Sequence, residues 1–224
     1  PQGGLISPIL ANVYLHYVLD LWFEKCIKKQ LYGEAYLVRF ADDFLIMFQY
    51  ERDAQRVYEA ISKRMELFGL ELSKEKTRIL PFGRYSVSRE TFDFLGFTHF
   101  NSKTRKGYYN VGHKISRKKK KQFKSNLKKW VKKNRNTQFD EFMKKLNKKL
   151  TGSFNYYSLS GMIKEVRSLW IHSLYVTFKW LNRRSQRRSF KLDRFYEIWN
   201  DRIIHPYIHV DIWSGDKVIY NKNV

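Results

Sequence analysis

Apolar residues in the first third of the chain follow two rhythms. From Pro8 to Lys29, Leu10, Val13, Tyr14, Tyr17, Leu21 and Trp22 recur at helical spacing, which predicts one long amphipathic helix. Ser7 before Pro8 reads as an N-cap followed by proline at the first helical position. The rhythm then tightens. Tyr36–Phe40 and Phe44–Phe48 are short runs of strand formers joined by Ala-Asp-Asp, the pattern of a tight β-hairpin. Residues 51–68 return to helical spacing, with Gly69 as a natural stop. "LELSKEKTRIL" (70–80) reads as strand–turn–strand. "TFDFLGFTHF" (91–100) reads as a further strand with Gly96 inside it, and "GYYNVG" (107–112) as its neighbour.

From Ser116 the pattern becomes helical and basic. "RKKKKQFKSNLKKWVKK" places Phe123, Leu127, Trp130 and Val131 on one stripe with lysines elsewhere. Further helices are expected near Phe139–Leu150, Met162–Leu181 and Leu192–Ile203. The fold class is therefore α+β: an antiparallel sheet with packed helices over residues 1–112, then a basic, all-helical region over 113–224.

Charge sharpens this division. Residues 1–100 carry 13 basic and 13 acidic side chains, whereas residues 101–224 carry 31 and 8, so the whole net charge of +23 lies in the second part. That asymmetry points to a polyanion partner for the basic region. The 17% aromatic content argues against a disordered chain. A single cysteine, Cys26, excludes an internal disulfide framework and any zinc site built on several thiolates. No apolar run reaches the roughly 20 residues that span a bilayer, and no signal peptide is visible. A chain that begins with Pro1 is read as a piece of a longer protein.

Asp42 and Asp43 stand between the two hairpin strands. Adjacent carboxylates at such a join have four readings: an ordinary turn pair, a protonated carboxyl, an ion pair with Arg39 three residues before Asp42, or ligands of a hard cation such as Mg²⁺. "PQGGLISPILANVYL", "RFADDF", "LELSKEKTRIL" and "FDFLGF" occur in that order. Together they resemble the later palm motifs of the group II intron reverse transcriptase/maturase family over about residues 1–100. The resemblance implies an RNA-directed DNA polymerase that uses a pair of Mg²⁺ ions, with Mn²⁺ as an alternative, and deoxynucleoside triphosphates. Asp42 would be the principal metal ligand and Asp43 would assist it. Gln2, Gly3, Phe40, Ala41 and Lys76 would border the nucleotide, and Phe94, Leu95 and Gly96 would form the primer grip. The family's site takes another aspartate from an upstream palm strand, which this chain does not contain, so the chain is expected to be inactive alone.

The same resemblance covers the second part. "GSFNYY" (152–157) is similar to a Gly-Trp-x-Asn-Tyr-Tyr element of the family, with Ser153 in the tryptophan position. A thumb followed by maturase sequence is implied, with structured intron RNA and a DNA primer or target as partners. The residues expected to meet RNA phosphates are Lys118, Lys119, Lys120, Lys121, Lys124, Lys128, Lys129, Arg183, Arg184, Arg187 and Arg188. Tyr156 and Tyr157 suit either base stacking or helix packing. His205 and His209 have i,i+4 spacing, but Pro206 opposes a helical metal site. The alternatives are a non-catalytic maturase and a reverse transcriptase of a retron or diversity-generating element. The expected setting is a bacterial cytoplasmic ribonucleoprotein, with an organellar one as the alternative, and no membrane role.

Overall fold

The computed structural model describes residues 4, 6–187 and 189–208. The expected site residues Gln2, Gly3 and Arg188, together with His209, lie outside the described residues. Six α-helices and two small antiparallel sheets occur among the described residues. This mixed α/β architecture is compatible with a partial palm. The chain forms two compact units, one up to Glu90 and one from Thr91 onward.

In the first unit α1 spans Ser7–Leu15. Ile6 occupies the capping position and makes no side-chain cap, so Ser7 lies inside the helix instead of capping it. The expected single regular helix is also corrected. Beyond Leu15 the path runs through two π-helical stretches, His16–Asp20 and Phe23–Ile27, and ends in a 3₁₀ turn at Lys28–Gln30. Each π turn takes in an extra residue and shifts the phase of the side chains. The buried face is therefore Val18, Leu19 and Phe23, while the expected stripe members Leu10, Val13, Tyr14 and Tyr17 are exposed.

Strands β1 (Ala35–Phe40) and β2 (Asp43–Phe48) pair antiparallel with Phe40 opposite Asp43. Only Ala41 and Asp42 form the turn, and Asp43 belongs to the strand. Ala35, Leu37 and Arg39 are the less exposed positions of β1, while Tyr36, Val38 and Phe40 are exposed. Helix α2 (Glu51–Leu67) lays Val57, Ile61 and Met65 against Val18, Leu19, Phe23 and Ala35. Apart from Ala35, each such buried side chain contributes about 1.5–3 kcal/mol. Asp53 in the first turn of α2 accepts hydrogen bonds from the Tyr32 and Gly33 amides, both 3.0 Å, and so ties the approach to β1 onto the helix. The helix stops as expected. Gly69 adopts φ +66°, its amide donates to the Glu66 carbonyl, and the Leu70 amide donates to Met65 at 2.8 Å.

Residues 70–80 form no strand, contrary to expectation. The Lys76 and Thr77 amides both donate to the Ser73 carbonyl, closing a local turn. The alternating leucines Leu70 and Leu72 still pack against the core of the unit, so their burial is met without a partner strand.

The second unit opens with β3 (Thr91–Phe94), β4 (Phe97–Lys103) and β5 (Tyr109–Ile115), antiparallel in that order. Phe94 stands opposite Phe97, so Gly96 is a turn residue and not part of a continuous strand. Helix α3 (Arg117–Asn134) follows β5 directly. Ser116 caps it by accepting from the Lys119 amide, and its own amide donates to the Gly96 carbonyl at 3.0 Å. Helices α4 (Phe139–Tyr157), α5 (Ile163–Leu181) and α6 (Leu192–Arg202) complete the unit. Leu127, Val131, Phe142, Leu146, Phe154, Leu169 and Trp199 form its core, and Ile115 and Phe97 of the sheet join the same cluster. The compact units thus part earlier than the change in composition near residue 112, because the three-stranded sheet is packed on the basic helices.

Candidate active site and nucleic-acid interface

Ala41, at the first central position of the β1–β2 turn, has φ +54°. A two-residue hairpin turn asks for positive φ at this position and usually takes glycine, asparagine or aspartate there. Alanine has no such freedom, and the left-handed conformation costs it about 1–2 kcal/mol. The turn presents Asp42 and Asp43 to solvent. Neither carboxylate has an ion-pair or hydrogen-bond partner among the described residues, so four carboxylate oxygens are uncommitted there. Phe40 before the turn is also exposed.

The ion pair of Arg39 with Asp42 does not form. Arg39 Nε donates to Asp20 Oδ1 at 2.8 Å and Nη2 donates to Asp20 Oδ2 at 2.7 Å, a two-pronged pair with the helical segment. Nη1 donates to Asn12 Oδ1 at 2.9 Å and to the Ala41 carbonyl at 2.8 Å. The hydrogen-bonded guanidinium holds the Asp20 carboxyl below the usual carboxylate value, and Asp20 in turn raises Arg39. His16 Nδ1 also lies 3.2 Å from Asp20 Oδ2.

Lys76 is exposed in the turn closed by Ser73, with no ion pair among the described residues. Asp42 and Asp43 belong to the first unit, whereas Phe94, Leu95 and Gly96 belong to the second. There Leu95 has φ +49° and Gly96 φ +83°. The Tyr156 hydroxyl donates to the Leu95 carbonyl at 2.6 Å. A Cβ built on Gly96 would come 3.5 Å from the Lys119 side chain, so the lysine stem lies against this turn. Tyr156 stacks on Phe97, and Tyr157 meets the same ring edge-on from a buried position. Packing therefore accounts for Tyr157, which is not free to stack on a base.

Lys118, Lys119, Lys121, Lys128 and Lys129 are exposed on α3, and Lys124 is half-buried. Lys120 instead pairs with Glu165 of α5 at 3.2 Å. Arg183 and Arg187 are exposed, with Arg183 set over the Trp180 ring alongside Lys132 and Arg135. Arg184 differs from them. Its Nε and Nη2 are buried without a partner among the described residues, and burial lowers its pKa.

Sequence reading missed Arg39, Asp20 and Asn12 as supports of the turn, since only the fold brings positions 12, 20 and 39 together. It also missed a histidine pair. His99 on β4 faces His113 on β5, with Nδ1 atoms 3.1 Å apart, and burial pushes both imidazoles below their usual value. The two residues stand directly across the β4–β5 ladder, and only that register would have revealed them. His205 stacks on Trp170 and lies within hydrogen-bond distance of the Asn200 carbonyl. Among the described residues no group of three or more His, Cys, Asp or Glu converges as a metal site, and no helix is long and apolar enough to cross a membrane.

Two known protein families match the chain. Residues 1–99 match the family model described as reverse transcriptase (RNA-dependent DNA polymerase). Residues 120–197 match that of the group II intron, maturase-specific domain. No curated protein matches the chain. The first match contains the Asp42–Asp43 turn, and the second contains most of α3 and all of α4 and α5. The maturase match also favours the intron family over the retron alternative. The chain belongs to the group II intron reverse transcriptase/maturase family.

Proposed function

We propose that the Asp42–Asp43 turn is the metal-binding turn of an RNA-directed DNA polymerase that copies intron RNA, and that the basic helices hold that RNA. One observation carries this reading: two adjacent carboxylates, free of cations, are presented at a turn whose backbone is held in a disfavoured conformation. Disfavoured backbone kept in place by its surroundings is a mark of functional sites. The donor set fits Mg²⁺ or Mn²⁺, since hard cations take carboxylate oxygens and commonly share one or two of them with substrate phosphates. When bound, the ions would polarise the phosphoryl oxygens and favour the attacking hydroxyl as its alkoxide.

Each remaining role belongs to the chain's own residues. Asp42, in the turn itself, is assigned as principal ligand, with Asp43 on the adjoining strand. Phe40 and Ala41, with Gln2, Gly3 and Lys76, are assigned to the deoxynucleoside triphosphate. Phe94, Leu95 and Gly96 are assigned to the primer backbone, at a turn against which the Lys119 stem also lies. Functionally, residues 1–112 act as palm and 113–224 as thumb and maturase region. Lys118, Lys119, Lys121, Lys124, Lys128 and Lys129, with Arg183, Arg187 and Arg188, are assigned to RNA phosphates. Lys120 and Arg184 stand apart, the one paired with Glu165 and the other partly sequestered. The partners are structured intron RNA and a DNA primer, in a bacterial cytoplasmic ribonucleoprotein.

Two carboxylates are fewer than a paired-metal centre needs. The exposed apolar face of α1, with Ile9, Leu10 and Val13, suits packing against further palm structure. The 224-residue chain alone is therefore expected not to extend a primer. The test is Asp42→Ala with Asp43→Ala in an active reverse transcriptase that carries this segment. Loss of cDNA synthesis with splicing assistance retained supports the assignment, whereas unchanged cDNA synthesis overturns it.

A further inference from the structure

We propose that Arg39 is a positioning residue for the catalytic turn, locked by Asp20 and Asn12 so that the second N–H of its Nη1 holds the Ala41 carbonyl. The inference rests on the reading of Asp42–Asp43 as metal ligands and adds what aims them. Ala41 has no side-chain hydrogen bond with which to steady a left-handed backbone, so its conformation needs an outside hold. Arg39 supplies one from two residues away at 2.8 Å.

The geometry of the guanidinium explains why the hold is rigid. Asp20 takes Nε and Nη2 through both carboxylate oxygens, a planar match that fixes the guanidinium plane. With the plane fixed, Nη1 can point only where Asn12 and Ala41 meet it. The π-helical stretch His16–Asp20 ends at the residue that makes this fork, so the phase shift in the helix and the aim of Arg39 are coupled. A direct substrate role is disfavoured on two grounds. The Arg39 side chain is only 12% exposed, and four N–H···O hydrogen bonds occupy the group. Lysine would not substitute, because a single ammonium cannot fork onto Asp20 and also reach Ala41.

The test is a mutant cycle with two readouts. In an active reverse transcriptase carrying this segment, Arg39→Gln is expected to lower kcat by about 10- to 100-fold, the range for residues that orient ligands from behind. KM for primer–template should change by less than about twofold, because no group that binds substrate is removed. Arg39→Lys should fail to restore kcat. Ala41→Gly, which adopts the left-handed backbone without strain, should shrink the Arg39→Gln loss when the two are combined. In the 224-residue chain, hydrogen exchange at Ala41–Asp43 should accelerate in Arg39→Gln while α2 is unchanged. If Arg39→Gln does not fold, Asn12→Ala, which frees one side of Nη1, carries the same exchange measurement. Unaltered exchange at the turn, or a kcat loss that Ala41→Gly leaves in full, overturns the proposal. Retained cDNA synthesis in the Asp42→Ala, Asp43→Ala variant would instead sink the metal-ligand reading, whatever the exchange result at the turn.

Discussion

The β1–β2 and β3–β4 hairpins solve one backbone problem with different parts. Each has a two-residue turn, Ala41-Asp42 and Leu95-Gly96. Each begins that turn with a non-glycine residue in the left-handed region, and among the described residues these are the only two such residues. In both, a side chain captures the carbonyl of the left-handed residue: Arg39 at Ala41 and Tyr156 at Leu95. The difference lies in where the capturing group comes from. Arg39 sits on the adjoining strand and is braced by the helical segment of its own unit. Tyr156 comes from α4, sixty-one positions along the chain. The first turn carries uncommitted charge to solvent. The second carries none and lies beneath the Lys119 stem. The turn that carries charge is held from two residues away, whereas the uncharged turn is held by the helical layer.

The largest expected contrast is in activity. Asp42→Ala with Asp43→Ala should abolish cDNA synthesis while changing stability by less than about 0.5 kcal/mol, as exposed substitutions commonly do. Calorimetric melting beside a primer-extension assay checks both halves. Next in size is the basic surface of the second unit. Replacing Lys118, Lys121 and Lys128 by alanine should make the log–log dependence of RNA affinity on salt shallower by about 2, at roughly 0.7 for each phosphate no longer neutralised. Titrations at several salt concentrations read this directly, and Lys120→Ala, which removes a side chain paired to Glu165, should change the slope less.

Tyr156→Phe comes third. It removes the hydrogen bond onto Leu95 and should destabilise the second unit by about 0.5–1.5 kcal/mol. Hydrogen exchange should quicken at 94–97 and stay unchanged at 40–43; equal acceleration at both turns would break the comparison. The smallest effect is in pH. Burial holds His99 and His113 below the usual value of 6.5, so both favour the neutral form when folded. As pH falls through about 6.5, the unfolded chain takes up these protons first and the second unit loses stability. Above that pH the contribution is constant. Melting midpoints at pH 7.5 and 5.0 should therefore differ, and His113→Gln should narrow the difference.

What could be read from sequence followed local chemistry. The β1–β2 hairpin, the α2 stop at Gly69, the Ser116 start of α3 and the helical stripe through Leu127 and Val131 each depend on neighbours within a few positions. The misreadings share a different cause. A residue-by-residue pattern cannot show that two π turns will rotate Val18, Leu19 and Phe23 inward in place of Leu10 and Val13. Leu70 and Leu72 alternate like a strand, yet their burial needs no partner strand. Apolar residues continue across Gly96 and suggest one unbroken strand, although its φ belongs to a turn. For the candidate site, the carboxylates were legible from their motif. Their support was not, because Asn12, Asp20 and Arg39 meet only after folding.

Ser116 gives the basic region a mechanical property. It is at once the last pinned point of the sheet, through its amide on Gly96, and the cap of α3. A helix of 18 residues starting there is a rigid arm about 27 Å long, at 1.5 Å per residue. Leu127 and Val131 anchor that arm in the core, so the Leu95–Gly96 turn and the lysines along the helix are joined through Ser116 as parts of one packed unit.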